Sequence, residues 1–409
     1  MMIEEEWEAR KNEVYAAFSP GAPIKLQEDL AGREEQAARL RNIMTSAGEH
    51  ALIYGERGVG KTSISNTFYA SLNSPTRRVR AIQVNCGTSD FPTIWRKVFR
   101  RISAPAESGA RSLDELYPND ITPDDVEVEF SAIDLNELMI VVLDEFDKIS
   151  DDATKLLMTD TIKSLSDHGL HTKLVLVGIA ENAEELLAHH GSISRALKQV
   201  KMPRLSLKDL EKVVSVRYKR CGLKIDDEAL FQIAFLSRGL PYYSHLVGRH
   251  AALSALNAKR IVVRDDDVFQ GLAEAMKEVD QTITKEYLEA VVSQRNEETL
   301  FEPVLIACAL AEPDDLGQFQ QAGVALPLAE ISPKKPPYTA ATFAFHMNEF
   351  CEEKRGCILQ RAGEARNYRY SFTDAMMQPY VIMRALQNNK LSRATFEKFV
   401  TRRQRSLAI

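Results

Sequence analysis

The residues with the clearest chemical purpose are Gly55-Glu56-Arg57-Gly58-Val59-Gly60-Lys61-Thr62, a GxxxxGK[ST] run. It follows the apolar stretch Ala51–Tyr54 and precedes a helix-forming stretch, Ser63–Leu72. Glycines let backbone amides curl around phosphate oxygens, and the following helix adds the partial positive charge of its N-terminus. In that setting Lys61 bridges the β- and γ-phosphates of a nucleoside triphosphate, and the Thr62 hydroxyl ligates Mg2+. A second element, Asp144-Glu145, ends the apolar run Met139–Leu143. An acidic pair at the carboxyl end of a buried strand supplies the other half of such a site. Asp144 would hold Mg2+ through water and Glu145 would polarise the attacking water. The same pair also reads as a helix N-cap, since Lys148-Ile149 follow; the upstream loop favours the catalytic reading.

Three further positions complete the set. Asn85 ends the second strand, where it would restrain Glu145 in an inactive pose. Asn182 follows the fourth strand, where a polar group orients water against the γ-phosphate. Arg195, in Ser192-Ile193-Ser194-Arg195, is placed to reach a neighbouring subunit's nucleotide as an arginine finger. Read without the P-loop, the three are turn residues and a solvated helix charge. His189-His190 and the Cys351/Cys357 pair lack the spacing of a four-ligand metal site.

These side chains need a scaffold. Ala51–Tyr54, Ala81–Val84, Met139–Leu143 and Leu174–Val177 read as strands, and their mostly uninterrupted apolar runs, broken only by Gln83, are the pattern of strands buried on both faces of a parallel sheet. Helical stretches alternate with them, which predicts an α/β P-loop three-layer sandwich over 49–204. Residues 1–48 form an N-terminal helical segment broken at Ser19-Pro20-Gly21-Ala22-Pro23. Ser103–Glu137 holds ten acidic residues, one Arg and three Pro, and reads as a mostly surface excursion without chemistry of its own. Residues 205–281 are helical in pattern, with Asp226 as an N-cap and Gly239 with Pro241 as a break. Residues 282–409 read as helices at about 284–311 and 340–355, then strands Cys357–Arg361 and Tyr368–Phe372, the order of a winged helix.

Composition narrows the class. The chain has 409 residues, 44% hydrophobic and 27% charged, which excludes collagen-like and disordered classes. No apolar run reaches membrane-span length, and the acidic start Glu4-Glu5-Glu6 is unlike a signal peptide. Five scattered cysteines fit a reducing compartment, so a cytoplasmic location is expected. Net charge is −6, but residues 285–353 carry 4 basic against 12 acidic side chains, and 354–409 carry 12 against 3. The switch predicts a localised basic face.

P-loop, Asp-Glu strand end, polar strand-four terminus, Arg195 and a helical region after the α/β domain together resemble an AAA+ ATPase. Leu30-Ala31-Gly32-Arg33-Glu34 is similar to the adenine-side box of the initiator clade, which covers origin-recognition and replication-initiation ATPases and is related to transposition regulators and STAND-type NTPases. The resemblance runs from about residue 25 to the end and implies ATP and Mg2+ binding between the α/β domain and a helical lid, with Arg33 on the adenine side, and nucleotide-dependent homo-oligomerisation. The family's lid offers a sensor arginine after a Gly-x-x pattern; here Gly239-Leu240-Pro241-Tyr242 puts Tyr242 there, with Arg238 and His245 nearby. That departure implies slow or switch-like turnover.

For the C-terminal region two ligands stay open. In the DNA reading, Thr339–Glu352 is the recognition helix, carrying His346 and Asn348, while Lys354, Arg355, Arg361, Arg366 and Arg369 contact the backbone and Arg402, Arg403 and Arg405 add a basic tail. Tyr368, Tyr370 and Phe372, alternating with Arg369 and Ser371, read as core of the wing rather than as a base-stacking platform. In the alternative, the chain is a regulatory adaptor of a mobile-element or anti-phage defence system, and the same module docks a protein effector.

Overall fold

The computed structural model describes residues 4–21, 30–75, 77–104, 109, 111–133, 137–180, 193, 195–292, 300–314, 317–332, 338–364 and 368–407. The chain divides into two compact units. One comprises Pro23–Glu56 and Gly60–Met202, the other Met1–Ala22, Arg57–Val59 and Pro203–Ile409.

The Pro23–Glu56/Gly60–Met202 unit is built on a five-stranded parallel sheet. Its elements are α2 (Glu34–Thr45), β1 (His50–Gly55), α3 (Lys61–Thr67), β2 (Arg78–Asn85), α4 (Phe91–Phe99), α5 (Pro123–Ser131), β3 (Glu137–Asp144), α6 (Asp152–Asp167), β4 (Thr172–Ile179) and β5 (Leu197–Lys201), while α1 (Glu4–Ala17) belongs to the other unit. The strand order is β2-β3-β4-β1-β5. All six residues of β1 are buried, as are seven of the eight in β4, which is why their sequences show no polar alternation. The fifth strand, Leu197-Lys-Gln-Val-Lys201, pairs with β1 at the sheet's edge and buries only Leu197 and Val200. That edge position explains why an apolar-run criterion passes over it.

On one face of the sheet, α4 buries Phe91, Ile94, Trp95, Val98 and Phe99, a spacing that places all five on one helical stripe. Asp90 caps it by accepting the Thr93 amide at 3.1 Å. The acidic stretch 103–137 is more than a surface excursion: Leu113, Ile121, Val126 and Phe130 are buried. Phe130 meets Trp95 edge-on, with ring centroids 5.7 Å apart. Each such ring contributes about 1.5–3 kcal/mol by leaving water, so this segment helps hold the sheet.

In the other unit, α1 packs against α7 (Leu207–Arg220) and α9 (Pro241–Asn257), and α8 (Asp227–Leu236) and α10 (Asp265–Lys277) pack against α9. Arg10 donates to the carbonyls of Cys221 (3.1 Å) and Gly222 (2.8 Å). Asp226 is the N-cap residue of α8 but makes no side-chain cap bond. The stretch expected to be wholly helical also contains two short parallel strands, β6 (Lys224–Ile225) and β7 (Val262–Val263). Further on come α11 (Gln281–Val291), α12 (Phe301–Leu310), β8 (Phe319–Gln320), α13 (Ala322–Ile331), α14 (Ala340–Glu349), β9 (Leu359–Ala362), β10 (Arg369–Phe372), α15 (Met377–Gln387) and α16 (Arg393–Leu407). The expected helix 284–311 is therefore two helices. The expected hairpin gains a third strand, because β8 joins the sheet in the order β8-β10-β9. Among the described residues, no helix is long and apolar enough to cross a membrane.

Candidate active site

Parallel strands bring their carboxyl ends to one edge of the sheet, and the chemistry-bearing residues gather there. Asn85 stands opposite Asp144 at the ends of β2 and β3, and Gly55 stands opposite Ile179 at the ends of β1 and β4. In such sheets ligands bind outside these ends.

The loop after β1 has left-handed glycines at Gly58 (φ 82°) and Gly60 (φ 95°). Gly60 is the N-cap of α3, and a Cβ there would meet nothing within 4 Å, so backbone conformation rather than crowding requires the glycine. A Cβ on Gly55 would lie 2.5 Å from the Met202 carbonyl oxygen. Lys61 is buried, and its Nζ donates to the carbonyls of Gly55 (2.8 Å) and Glu56 (2.7 Å). It forms no ion pair among the described residues. Burial pulls its pKa down to about 8, while Asp147, Asp144 and Glu56 act in the opposite sense. A buried ammonium held over carbonyls, with no paired carboxylate, fits a polyphosphate ligand. The Thr62 hydroxyl, half-buried, has no hydrogen-bond partner among the described residues.

Asp144 accepts from Gln83 Nε2 at 3.2 Å and from the Glu145 amide at 2.9 Å. Glu145 itself has φ 56°, a left-handed conformation uncommon for a residue with a Cβ. Its carboxylate pairs with Lys148 at 2.8 Å. The hydrogen bond from Lys148 is the largest influence on it, burial works the other way, and a hydrogen bond from Asn85 adds to the first; the net effect is a lowered pKa. The structure thus brings Asn85 and Glu145 together. Asp147 accepts the Ile179 amide at 2.9 Å and so ties the turn after β3 to the end of β4.

Other expected residues are dispersed. Arg33 is a buried N-cap residue of α2. Arg195 is exposed on the turn before β5, with no partner among the described residues. Asn182 lies outside the described residues, as do His189-His190. Arg57 and Val59 group with the second unit, where Arg57 pairs with Asp374 (3.0 Å) and Asp280 (3.2 Å). Tyr242 opens α9 and meets Tyr243 edge-on at 5.1 Å. His245 is buried edge-on to Phe18.

Sequence reading missed Gln83, Asp147 and Lys148. Gln83 was findable: it stands two residues before Asn85, on the same side of a strand. Lys148 lies three residues beyond Glu145 on a turn, and nothing in residue type alone marks the pairing.

Among the described residues most of the basic C-terminal side chains are committed to internal partners, while Arg405 is exposed without one. Lys354 pairs with Glu349 (2.8 Å), Arg369 with Asp314 (2.7 Å), Lys390 with Glu302 (3.5 Å), Lys398 with Glu330 (3.6 Å), Arg402 with Glu330 (2.7 Å) and Arg403 with Glu312 (2.9 Å). The cationic stretch 354–409 and the anionic stretch 285–353 therefore compensate each other. Arg355 lies 3.7 Å from the Phe301 ring centroid and donates to the Ala290 carbonyl at 2.9 Å. Arg361 donates to Asn348 at 3.1 Å. His346 of α14 is half-buried against Phe301, with centroids 4.7 Å apart. Tyr370 and Phe372 are buried, whereas Tyr368, expected with them, is half-exposed. Arg366 lies outside the described residues.

Residues 29–176 match the family model of the AAA ATPase domain. The fold is similar to that of a Walker-type ATPase of Pyrococcus abyssi, at 16% identity over 90% of this chain and 99% of that one, with a TM-score of 0.52. It is also similar to the ORC2 protein of Aeropyrum pernix, solved as ADPNP-ADP complexes, at 16% identity over 95% and 98% of the two chains, with a TM-score of 0.50. Among curated proteins, none matches the sequence. Over residues 29–176 the chain is thus similar to the AAA ATPase domain, on a parallel sheet that carries the P-loop at the end of β1.

Proposed function

We propose that the chain is an ATP-dependent AAA+ switch that assembles with nucleotide and hydrolyses it slowly. The observation that carries this reading is the cluster at the sheet edge: buried Lys61 without a carboxylate partner, and Glu145 held by Lys148 and Asn85. Lys61 and the amides around Gly60 would hold the β- and γ-phosphates, and Thr62 with Asp144 would hold Mg2+. The ion supplies charge neutralisation on the phosphates. Glu145 takes the proton of the attacking water once its carboxylate leaves Lys148 and Asn85, so the arrangement is a resting one. Arg195, exposed, is available to a second copy's nucleotide, which makes turnover depend on assembly. The nucleotide complexes of the Aeropyrum pernix relative support the ligand class.

Helix, strand, two helices and two strands from Phe301 to Phe372 follow the order of a winged helix. Two observations favour a protein partner for it over DNA. Lys354 and Arg369 are committed to internal pairs, and α14 exposes an apolar aromatic side chain, Phe345, at 60%.

The test is ATP hydrolysis with and without duplex DNA, alongside size-exclusion chromatography with and without ATP. Assembly with ATP and turnover indifferent to DNA are expected. Turnover stimulated by DNA and fading with salt would overturn the protein-dock reading, and absence of ATP binding would overturn the whole.

A further inference from the structure

In the unit formed by Met1–Ala22, Arg57–Val59 and Pro203–Ile409 there is a cavity of about 310 Å3. Arg204, Lys208, Arg238 and Arg403 line it, with Glu312 and Asp314 the carboxylates among its walls. Both carboxylates are already engaged, Glu312 by Arg403 at 2.9 Å and Asp314 by Arg369 at 2.7 Å. Arg238 has no carboxylate partner among the described residues. Its Nη2 donates to the Ala309 carbonyl at 2.8 Å, and its guanidinium lies 4.5 Å from the Phe235 ring centroid. Its Nε is buried without an acceptor.

The position is built. Arg238 has φ 48°, a left-handed backbone that a non-glycine residue adopts only when its surroundings hold it there. Arg204 is confined as well: its Nη1 donates to Gln378 Oε1 at 2.5 Å and to the Arg238 carbonyl at 3.4 Å, a Cβ on Gly317 would lie 2.6 Å from its Nη2, and one on Gly239 would lie 2.6 Å from its Cβ. Ser206 caps α7, accepting the Asp209 amide at 3.2 Å, and Leu207 and Lys208 of its first turn line the cavity. The partial positive charge of a helix N-terminus is thereby added to the guanidinium groups.

We propose that this cavity binds a small phosphate-bearing anion. Guanidinium groups present forked donors that match a tetrahedral oxyanion, and a recess of this volume holds a phosphate with a few waters or a small organic group. Burial, then Arg204 and Arg403, pull the pKa of Arg238 down to about 9 while Glu312 acts against them. A recess walled by four cationic side chains and two carboxylates is one whose charge a bound dianion would balance. The walls come from four segments distant in sequence: Arg204–Lys208, Phe235–Gly239, Glu312–Asp314 and Arg403. An occupant would fasten them together, so binding registers as stability of this unit. A phosphate of a duplex backbone sits on a convex rod and does not enter such a recess.

The experiment uses the full chain carrying Lys61→Ala, so that the P-loop does not contribute. Inorganic pyrophosphate is the probe, sodium chloride at equal ionic strength the control, and a duplex oligonucleotide a third arm. Expected is a saturable rise in melting temperature with pyrophosphate alone. Arg238→Asn tolerates a left-handed backbone, and Lys208→Glu alters an exposed side chain. Each should raise the pyrophosphate Kd about tenfold or more. Lys208→Glu should leave the ligand-free melting temperature unchanged, which separates lost binding from lost folding. No saturable rise, an unaltered Kd in both variants, or protection by the duplex alone would overturn the proposal.

Discussion

At the residue scale the informative side chain is Glu145. A carboxylate whose pKa is lowered by Lys148 and Asn85 is a weak base, and the geometry that lowers it also fixes it on a strained backbone. Releasing it should restore basicity. Asn85→Ala is accordingly expected to raise basal ATP turnover severalfold, and Lys148→Ala to move the acid limb of the pH–rate profile upward. Glu145→Gln should lower kcat by roughly 10²–10³ while ATP affinity, read by a fluorescent analogue, stays within about threefold. If affinity fell as far as turnover, the carboxylate would be a binding group and not the base. Lys61 makes a separate prediction. Its pKa of about 8 rises again once phosphates surround it, so binding takes up a proton above that pH. ATP affinity should fall as pH rises through about 8 and upward, and the slope should vanish in Lys61→Arg.

At the element scale, strands and caps govern. His50 opens β1, buried, and accepts the Leu174 amide of β4 on Nδ1 at 2.9 Å. Burial, with Lys173 adding to it, lowers its pKa from 6.5 to about 3. Because the folded value lies below the unfolded one, the stability it permits is present above pH 6.5 and lost as pH falls toward 3. The slope is at most about 1.4 kcal/mol per pH unit for one group. Urea denaturation at neutral and mildly acidic pH should show that loss, and His50→Gln should flatten it. Asp151 caps α6 through the Thr154 amide at 2.8 Å, so Asp151→Ala should cost about 1 kcal/mol in the same assay. Three strands were legible in the sequence because burial on both faces writes itself as unbroken apolar runs, and the edge strand β2 was legible from the apolar residues around Gln83, of which Ile82 and Val84 are buried. Edge strand β5 and the two-residue β8 were not, since half-exposed or very short strands carry no such run. The P-loop and the Asp144-Glu145 pair were legible from residue type. Their restraints were not, because Gln83, Asn85 and Lys148 acquire meaning only once β2 lies beside β3.

At the scale of the whole molecule, sequence asymmetry and surface charge part company. A stretch of +9 beside one of −8 looked like a binding face, yet six ion pairs join the two. Exposed pairs of this kind are each worth about 0–1 kcal/mol, so they do not forbid a polyanion, but every phosphate contact must displace one. Replacing Lys354 and Arg369 together by Ala should therefore change the salt dependence of any DNA affinity by less than the two units that free phosphate contacts would give. Arg195→Ala should leave the ATP affinity of the isolated chain intact and remove the turnover gained on assembly. The sheet order carries one more consequence, for the order of events during synthesis. Ala51 of the P-loop strand sits between Val175 and Lys198, both far downstream. The loop that follows it has no fixed walls until β4 and β5 have left the ribosome, and long-range pairings of this kind form slowly. A nascent chain ending before Leu197 would carry the full GxxxxGK[ST] motif and still be unable to hold ATP, so nucleotide can act as a ligand for folding only after about half the protein has been made.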